Sequence, residues 1–338
     1  MSRETMTDLN QNTLIGYTDK RGTAWHYRAD EQGAEPNHYA GAIPVEDVRR
    51  RLFHWSPLEA DITATAVTEN GVVTSPDPTR KAILRSDTGA VLGVFSASYQ
   101  VHEYNEWLIK NVENLLDADL HIGSAGLLKG GAVAWVQVEM EDTIDTPSGV
   151  QFRPFLTAAT SMDGSLASTY QIGAQVVVCD NTLSVALGES GAERVRVKHT
   201  ARSHLRIHDV RSALNIVHQT ADAFNEQVRT LTETELSRDQ WAKFLEVHFA
   251  PSTDSTRALN MAQRRRDELD HWYREHEWVA PWSGTAWGAL SAINTWAHHG
   301  QPVRGSRVER NMERAVTGQI KTIDQGALAS LQKVLATA

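Results

Sequence analysis

A chain of 338 residues can build two cores, and its 41% hydrophobic and 22% charged residues exclude wholesale disorder, which needs low hydrophobicity and high charge. The formal net charge of −9, taken alone, argues against a dedicated polyanion binder. The average hides a split, because residues 1–190 carry 13 Lys and Arg against 25 Asp and Glu while residues 191–338 carry 20 against 17, so each half is judged separately.

The first residues are polar and lack the basic head and apolar run of a signal peptide. No run of about 18 apolar residues occurs. A cytoplasmic protein with no membrane partner is expected. The single cysteine, Cys179, cannot form an intramolecular disulfide and fits a reducing compartment.

In chain order, residues 1–40 read as an extended segment, since termini of such composition fray unless they dock. Residues 43–52 form a short helix, with Pro44 in its first turn and acidic residues ahead of basic ones, as the helix dipole favours. From Ala82 short apolar runs alternate with turn residues. Residues 83–85 and 91–95 make a hairpin around Asp87-Thr88-Gly89. Trp107, Leu108, Val112, Leu115 and Leu116 repeat at helical spacing and predict a helix over 103–118. Strands follow at 122–128 and 132–140, joined by Lys129-Gly130-Gly131. The second has an apolar face of Ala132, Ala134, Val136 and Val138 and a mixed face of Val133, Trp135, Gln137 and Glu139. Residues 152–160 and 165–178 pair around Met162-Asp163-Gly164.

Past residue 208 the period is helical. A stripe from Val210 to Leu231 marks one amphipathic helix capped by Asp209, and Ser237 with Gln240 has the spacing of a capping box. Further helices cover 256–276 and 286–299, the last stopped by Gly300 and Pro302. The reading is an α+β protein, with an extended segment at 1–40, an antiparallel sheet domain with a packed helix at 41–207, and a helical domain at 208–338.

The most informative stretch is residues 194–211, with six Lys and Arg, three His and a single acid, Asp209. If 194–198 is a strand, its period of two places Arg194, Arg196 and Lys198 on one side, about 7 Å apart, close to the repeat of phosphates along a nucleic-acid strand. Arg202, Arg206 and Arg211 continue the track, and His199 and His204 add charge when protonated. A solvated face paired with the acidic half is the competing reading of this run. Bases stack on aromatic rings whatever their identity. Trp107, Trp241, Trp287 and Trp296 sit on apolar helix faces and read as core. Trp25, Tyr99, Tyr170 and the tract from Trp278 to Trp282 are the stacking candidates, Tyr99 and Tyr170 foremost. The run Arg264-Arg265-Arg266 precedes Asp267, Glu268 and Asp270 and reads as a surface feature paired at helical spacing.

Catalytic motifs are missing from the sequence. The glycines at 123–126 and 130–131 do not open a helix after a strand, as a dinucleotide fingerprint must, and lack the Lys-Ser/Thr of a phosphate loop. His199, His204 and His208 have no thiolate or clustered carboxylate to complete a metal site. Cys179, ending a valine-rich strand, reads as a buried, inert thiol. No catalytic residue, metal or cofactor is expected.

Four segments carry a family resemblance: residues 93–101 (GVFSASYQV), 178–183 (VCDNTL), 196–200 (RVKHT) and 284–290 (GTAWGAL). The chain resembles the phage/plasmid-like protein family, a domain-of-unknown-function group of bacteriophages and mobile elements. That resemblance implies a bacterial host cell and implies no activity. A fold-level analogy, with strand pairs around a helix and a basic strand track, is similar to the ATP-independent single-strand annealing proteins of phages.

The resulting expectation is a homo-oligomeric protein of phage recombination type that binds and anneals single-stranded nucleic acid, DNA in preference to RNA. Its contacts would be Arg194, Arg196, Lys198, His199, Arg202, His204, Arg206 and Arg211, with Tyr99 and Tyr170 stacking. The alternative is an accessory or counter-defence protein that binds a host protein through its acidic surface.

Overall fold

The structure, a computed structural model of the chain, describes residues 6–22, 27–116, 120–140, 143–176, 181–183, 194–197, 216–303, 307, 310–311, 314 and 319–337. The fold is α+β, with antiparallel sheets in the N-terminal half and helices in the C-terminal half. Its strands are β1 (Thr13–Ile15), β2 (Pro57–Thr68), β3 (Gly71–Arg85), β4 (Val91–Ser96), β5 (Leu120–Leu128), β6 (Val133–Met140), β7 (Ile144–Asp145), β8 (Gln151–Ser161), β9 (Ser168–Val176), β10 (Asn181–Leu183) and β11 (Arg194–Val197). The helices are α1 (Met6–Asn12), α2 (Thr18–Arg21), α3 (Val45–Arg51), α4 (Lys110–Glu113), α5 (Ile216–Glu233), α6 (Arg238–His248), α7 (Thr256–Glu275), α8 (Ala286–Thr295) and α9 (Gln319–Leu335).

The chain divides into two units. The first comprises Met1–Glu141, Leu156–Gln171 and Gly191–Asn215, and the second the remainder. In the first unit β1 pairs with β5, and β5 with β6, so residues 13–15 join the sheet although the composition of residues 1–40 points to an extended segment. The reason is local: Leu9, Leu14 and Ile15 supply enough buried apolar surface to dock the terminus. The mixed face expected for β6 is also buried. Trp135 and Glu139 are enclosed along with Ala134, Val136 and Val138, as befits an interior strand covered on both sides.

A second sheet, β2-β3-β4, includes the expected hairpin, with Leu84 opposite Val91. It also contains a longer hairpin, β2 to β3, that the periodicity does not show. Its outer part, from Ile62 opposite Asp77 to Thr68 opposite Gly71, is almost entirely exposed on both faces, so the alternation of Ile62, Ala64 and Ala66 with Thr63, Thr65 and Val67 buries neither side. The expected helix over 103–118 begins as a π-helical turn at Asn105–Ile109 and continues as α4, burying Trp107, Leu108, Ile109 and Val112.

Among the described residues of the second unit, apolar side chains gather in two clusters. In one, Trp241, Phe244, Leu245, Leu269, Tyr273, Ile293 and Leu331 gather side chains from α6, α7, α8 and α9. In the other, Val150 and Phe152 meet Phe224, Val228 and Trp287. The Ser237 capping box is present: its side chain accepts from Gln240 N while Gln240 Oε1 accepts from Ser237 N. Residues 209–215, where the α5 stripe was expected to begin, lie outside the described residues.

Candidate nucleic-acid interface

Arg194 and Arg196 lie on β11, antiparallel to β9, with Arg194 opposite Gln171, Val195 opposite Tyr170, Arg196 opposite Thr169 and Val197 opposite Ser168. Lys198, His199, Arg202, His204, Arg206 and Arg211 lie outside the described residues, as do Cys179 and Trp25. The β9 residues beneath β11 are anchored in the core. Ser168 is within hydrogen-bond distance of His102 Nδ1 at 2.6 Å and of Thr160 Oγ1 at 2.8 Å, and the His102 ring stacks on Trp107 with centroids 4.0 Å apart. A Ser–His pair of this kind could suggest acyl transfer. Both side chains are closed to solvent, at 0% and 1% exposure, so no substrate carbonyl reaches them.

The two tyrosines chosen for stacking have different fates. Tyr170 is 2% exposed; its hydroxyl donates to Trp107 O at 3.2 Å and accepts from Asn111 Nδ2 at 3.0 Å. Burial raises its phenol well above the usual range. A ring sealed this way cannot take a base, and the expectation for Tyr170 is corrected accordingly. Tyr99 is half-buried, and Phe95 already covers it, the two rings nearly parallel at 3.9 Å. Its hydroxyl donates to Ser161 O at 3.4 Å, and burial, then the charge of Asp163, raises its phenol. Asp163 itself is held low. Burial opposes its ionisation, but hydrogen bonds from Ser165 and the charge of Lys129 outweigh that effect.

The second unit carries the aromatic surface that the tract from Trp278 to Trp282 foreshadows. Trp272 and His276 stack at 4.2 Å with 5° between their planes, the His276 ring meets Trp278 edgewise at 4.9 Å, and Trp278 meets His299 at 5.0 Å. All four rings are half-buried. Trp272 lies in the last turn of α7 and His276 caps its C-terminus, the His276 N–H donating to Trp272 O. Burial lowers the His276 pKa, which favours the neutral ring in this stack.

The expected pairing of Arg264-Arg265-Arg266 with its own acids is not found. Asp267 accepts from Gln263, and Asp270 accepts from Arg274 and Trp241. Arg266 donates to the carbonyls of Phe249 and Glu246, at 3.0 and 3.5 Å, at the end of α6. Sequence reasoning also passed over Arg307, Arg310 and Arg314. Their spacing of three and four residues is a helical signal, but they are dispersed among other residues and form no visible run.

The family model described as a domain of unknown function (DUF932) matches residues 91–317, two thirds of the chain. The chain belongs to the DUF932 family. The DUF932 match starts at β4 and takes in β11, the aromatic ladder and the three arginines; the long β2–β3 hairpin and α9 fall outside it. Comparison with curated proteins and with solved structures finds no match. Among the described residues, no helix is long and apolar enough to cross a membrane.

Proposed function

We propose that this DUF932 protein binds single-stranded nucleic acid, DNA in preference to RNA, and anneals complementary strands without nucleotide hydrolysis. It would act as a homo-oligomer in the cytoplasm of a bacterial host, in a phage or mobile-element setting. The observation that carries the reading is the concentration of six Lys and Arg with one acid over residues 194–211 of an acidic chain. The strand geometry of Arg194–Val197 supports it, since alternate positions on a strand match the phosphate repeat. Annealing requires no covalent step: cations screen the repulsion between two backbones while the bases remain available for pairing.

The test is the Arg196→Glu/Lys198→Glu double variant, measured by anisotropy of a fluorescent oligonucleotide at moderate salt. Loss of binding with an unchanged circular dichroism spectrum is expected, together with loss of ATP-independent annealing. Unchanged affinity overturns the proposal.

A further inference from the structure

Arg307, Arg310 and Arg314 converge on the end of the π-helical turn Trp296–Gly300 that follows α8. Arg310 Nη2 donates to Ala297 O at 2.9 Å and to His298 O at 3.4 Å; Arg314 Nη1 donates to Gln301 Oε1 at 2.9 Å and Ala297 O at 3.4 Å; Arg307 Nη1 donates to Gln301 O at 3.1 Å and His298 O at 3.3 Å. Every one of these acceptors is neutral. None of the three guanidiniums meets a carboxylate among the described residues. The helix end offers roughly half a negative charge against three positive ones. Among the described residues the cluster therefore lacks a neutralising charge: burial, then repulsion by Arg314 and Arg307, lowers the Arg310 pKa to about 10. Arg310 Nε is a buried donor with no acceptor among the described residues, and a buried donor of this kind is a place for a further partner.

The same short segment joins this cluster to the aromatic ladder. His298 gives its carbonyl to Arg307, Arg310 and Asn311, and the ring of the next residue, His299, packs on Trp278. Gly300 makes the junction possible, because a Cβ there would lie 2.5 Å from Trp296 Cδ1 and 2.9 Å from Trp272 Cζ2. Charge orients the pair of features. Glu277 acts on His276 at the ladder, which repels an anion there, while the arginines attract one.

We infer that this surface is a binding site for a nucleotide unit, with a phosphate on Arg307, Arg310 and Arg314 and an unpaired base against Trp278 and His299. The site lies in the second unit, apart from residues 194–211, and stands even if that tract proves inert. Paired bases expose no face for such a ladder, so duplex is disfavoured. The nucleotide unit has two possible sources, a free mononucleotide and a single strand.

The experiment uses the full chain with three probes: a labelled oligothymidylate, thymidine monophosphate and inorganic phosphate. Arg310→Gln and Trp278→Ala should each weaken oligothymidylate binding roughly tenfold, the usual effect of losing one charged contact or one stacked base. Arg310→Gln should also reduce the slope of log affinity against log salt by about 0.7, one phosphate contact on a single strand. Arg310→Lys and Trp278→Phe should restore most of the affinity and serve as controls where the first variants fold poorly. Competition by thymidine monophosphate at its own measured affinity assigns the site to a free nucleotide, and competition by oligothymidylate alone assigns it to a strand. The inference is overturned if both loss variants, folded, bind both probes as the parent does, or if inorganic phosphate binds as tightly as thymidine monophosphate. Comparison with Arg194→Glu/Arg196→Glu separates the two sites, since loss in only one set of variants assigns binding to that set.

Discussion

The carboxyl group of Glu139 fills the space that a side chain on Gly123 would need. Glu139 is fully buried on β6, opposite His121, and Gly123 is the residue passed over where the β5–β6 register shifts between Ile122 and Ser124. The bulge and the buried acid are therefore one feature, and the glycine is what allows it. Gly123→Ala should cost about 1–3 kcal/mol, the usual penalty for overpacking, read as a lower urea midpoint at constant slope. An unchanged midpoint would show that the acid moves aside without cost.

Ser237 ties down the start of α6 with both bonds of its capping box. Removing its hydroxyl orphans the Gln240 amide, so Ser237→Ala should destabilise the protein by about 1 kcal/mol, while Ser237→Asp keeps most of the stability. Thermal melts of the two variants check this; equal melting temperatures would contradict it.

Phe224 on α5 meets both Phe152, at 4.5 Å, and Trp287, at 6.4 Å, edge to face. With 1% of its surface exposed, Phe224→Ala should cost about 3–5 kcal/mol through lost burial and the cavity left behind. Chemical denaturation measures this directly, and a loss below about 1 kcal/mol would mean that the cluster refills.

His248 packs against Phe244 and Phe249, and its Nδ1 lies 3.1 Å from Ser330 Oγ. Burial lowers its pKa, opposed by a hydrogen bond with the Gly326 backbone. The unfolded chain thus binds this proton more readily than the folded one, so stability is full above about 6.5, the ordinary imidazole value, and is lost as pH falls through the depressed value. Parent protein should lose more stability than His248→Gln between neutral and mildly acidic pH. Parallel slopes would rule out this linkage.

What repeats within a few residues was legible in the sequence: the capping box, the helices α6 to α8, the β3–β4 hairpin and the burial of Trp107, Trp241, Trp287 and Trp296. Local geometry dictates these, because a period or a cap involves only neighbours along the chain. The surroundings of each face were not legible. Tyr170 and Tyr99 are alike in composition and setting, yet β9 carries one into a sealed hydrogen-bond network while the other rests on Phe95. Glu139 reads as the polar side of a strand and is buried because a distant glycine makes room. Arg307, Arg310 and Arg314 form no run, and only the path of the chain past residue 296 brings them to one helix end. A sequence period fixes which side chains share a side; the long-range contacts of the fold decide whether that side meets water, core or charge.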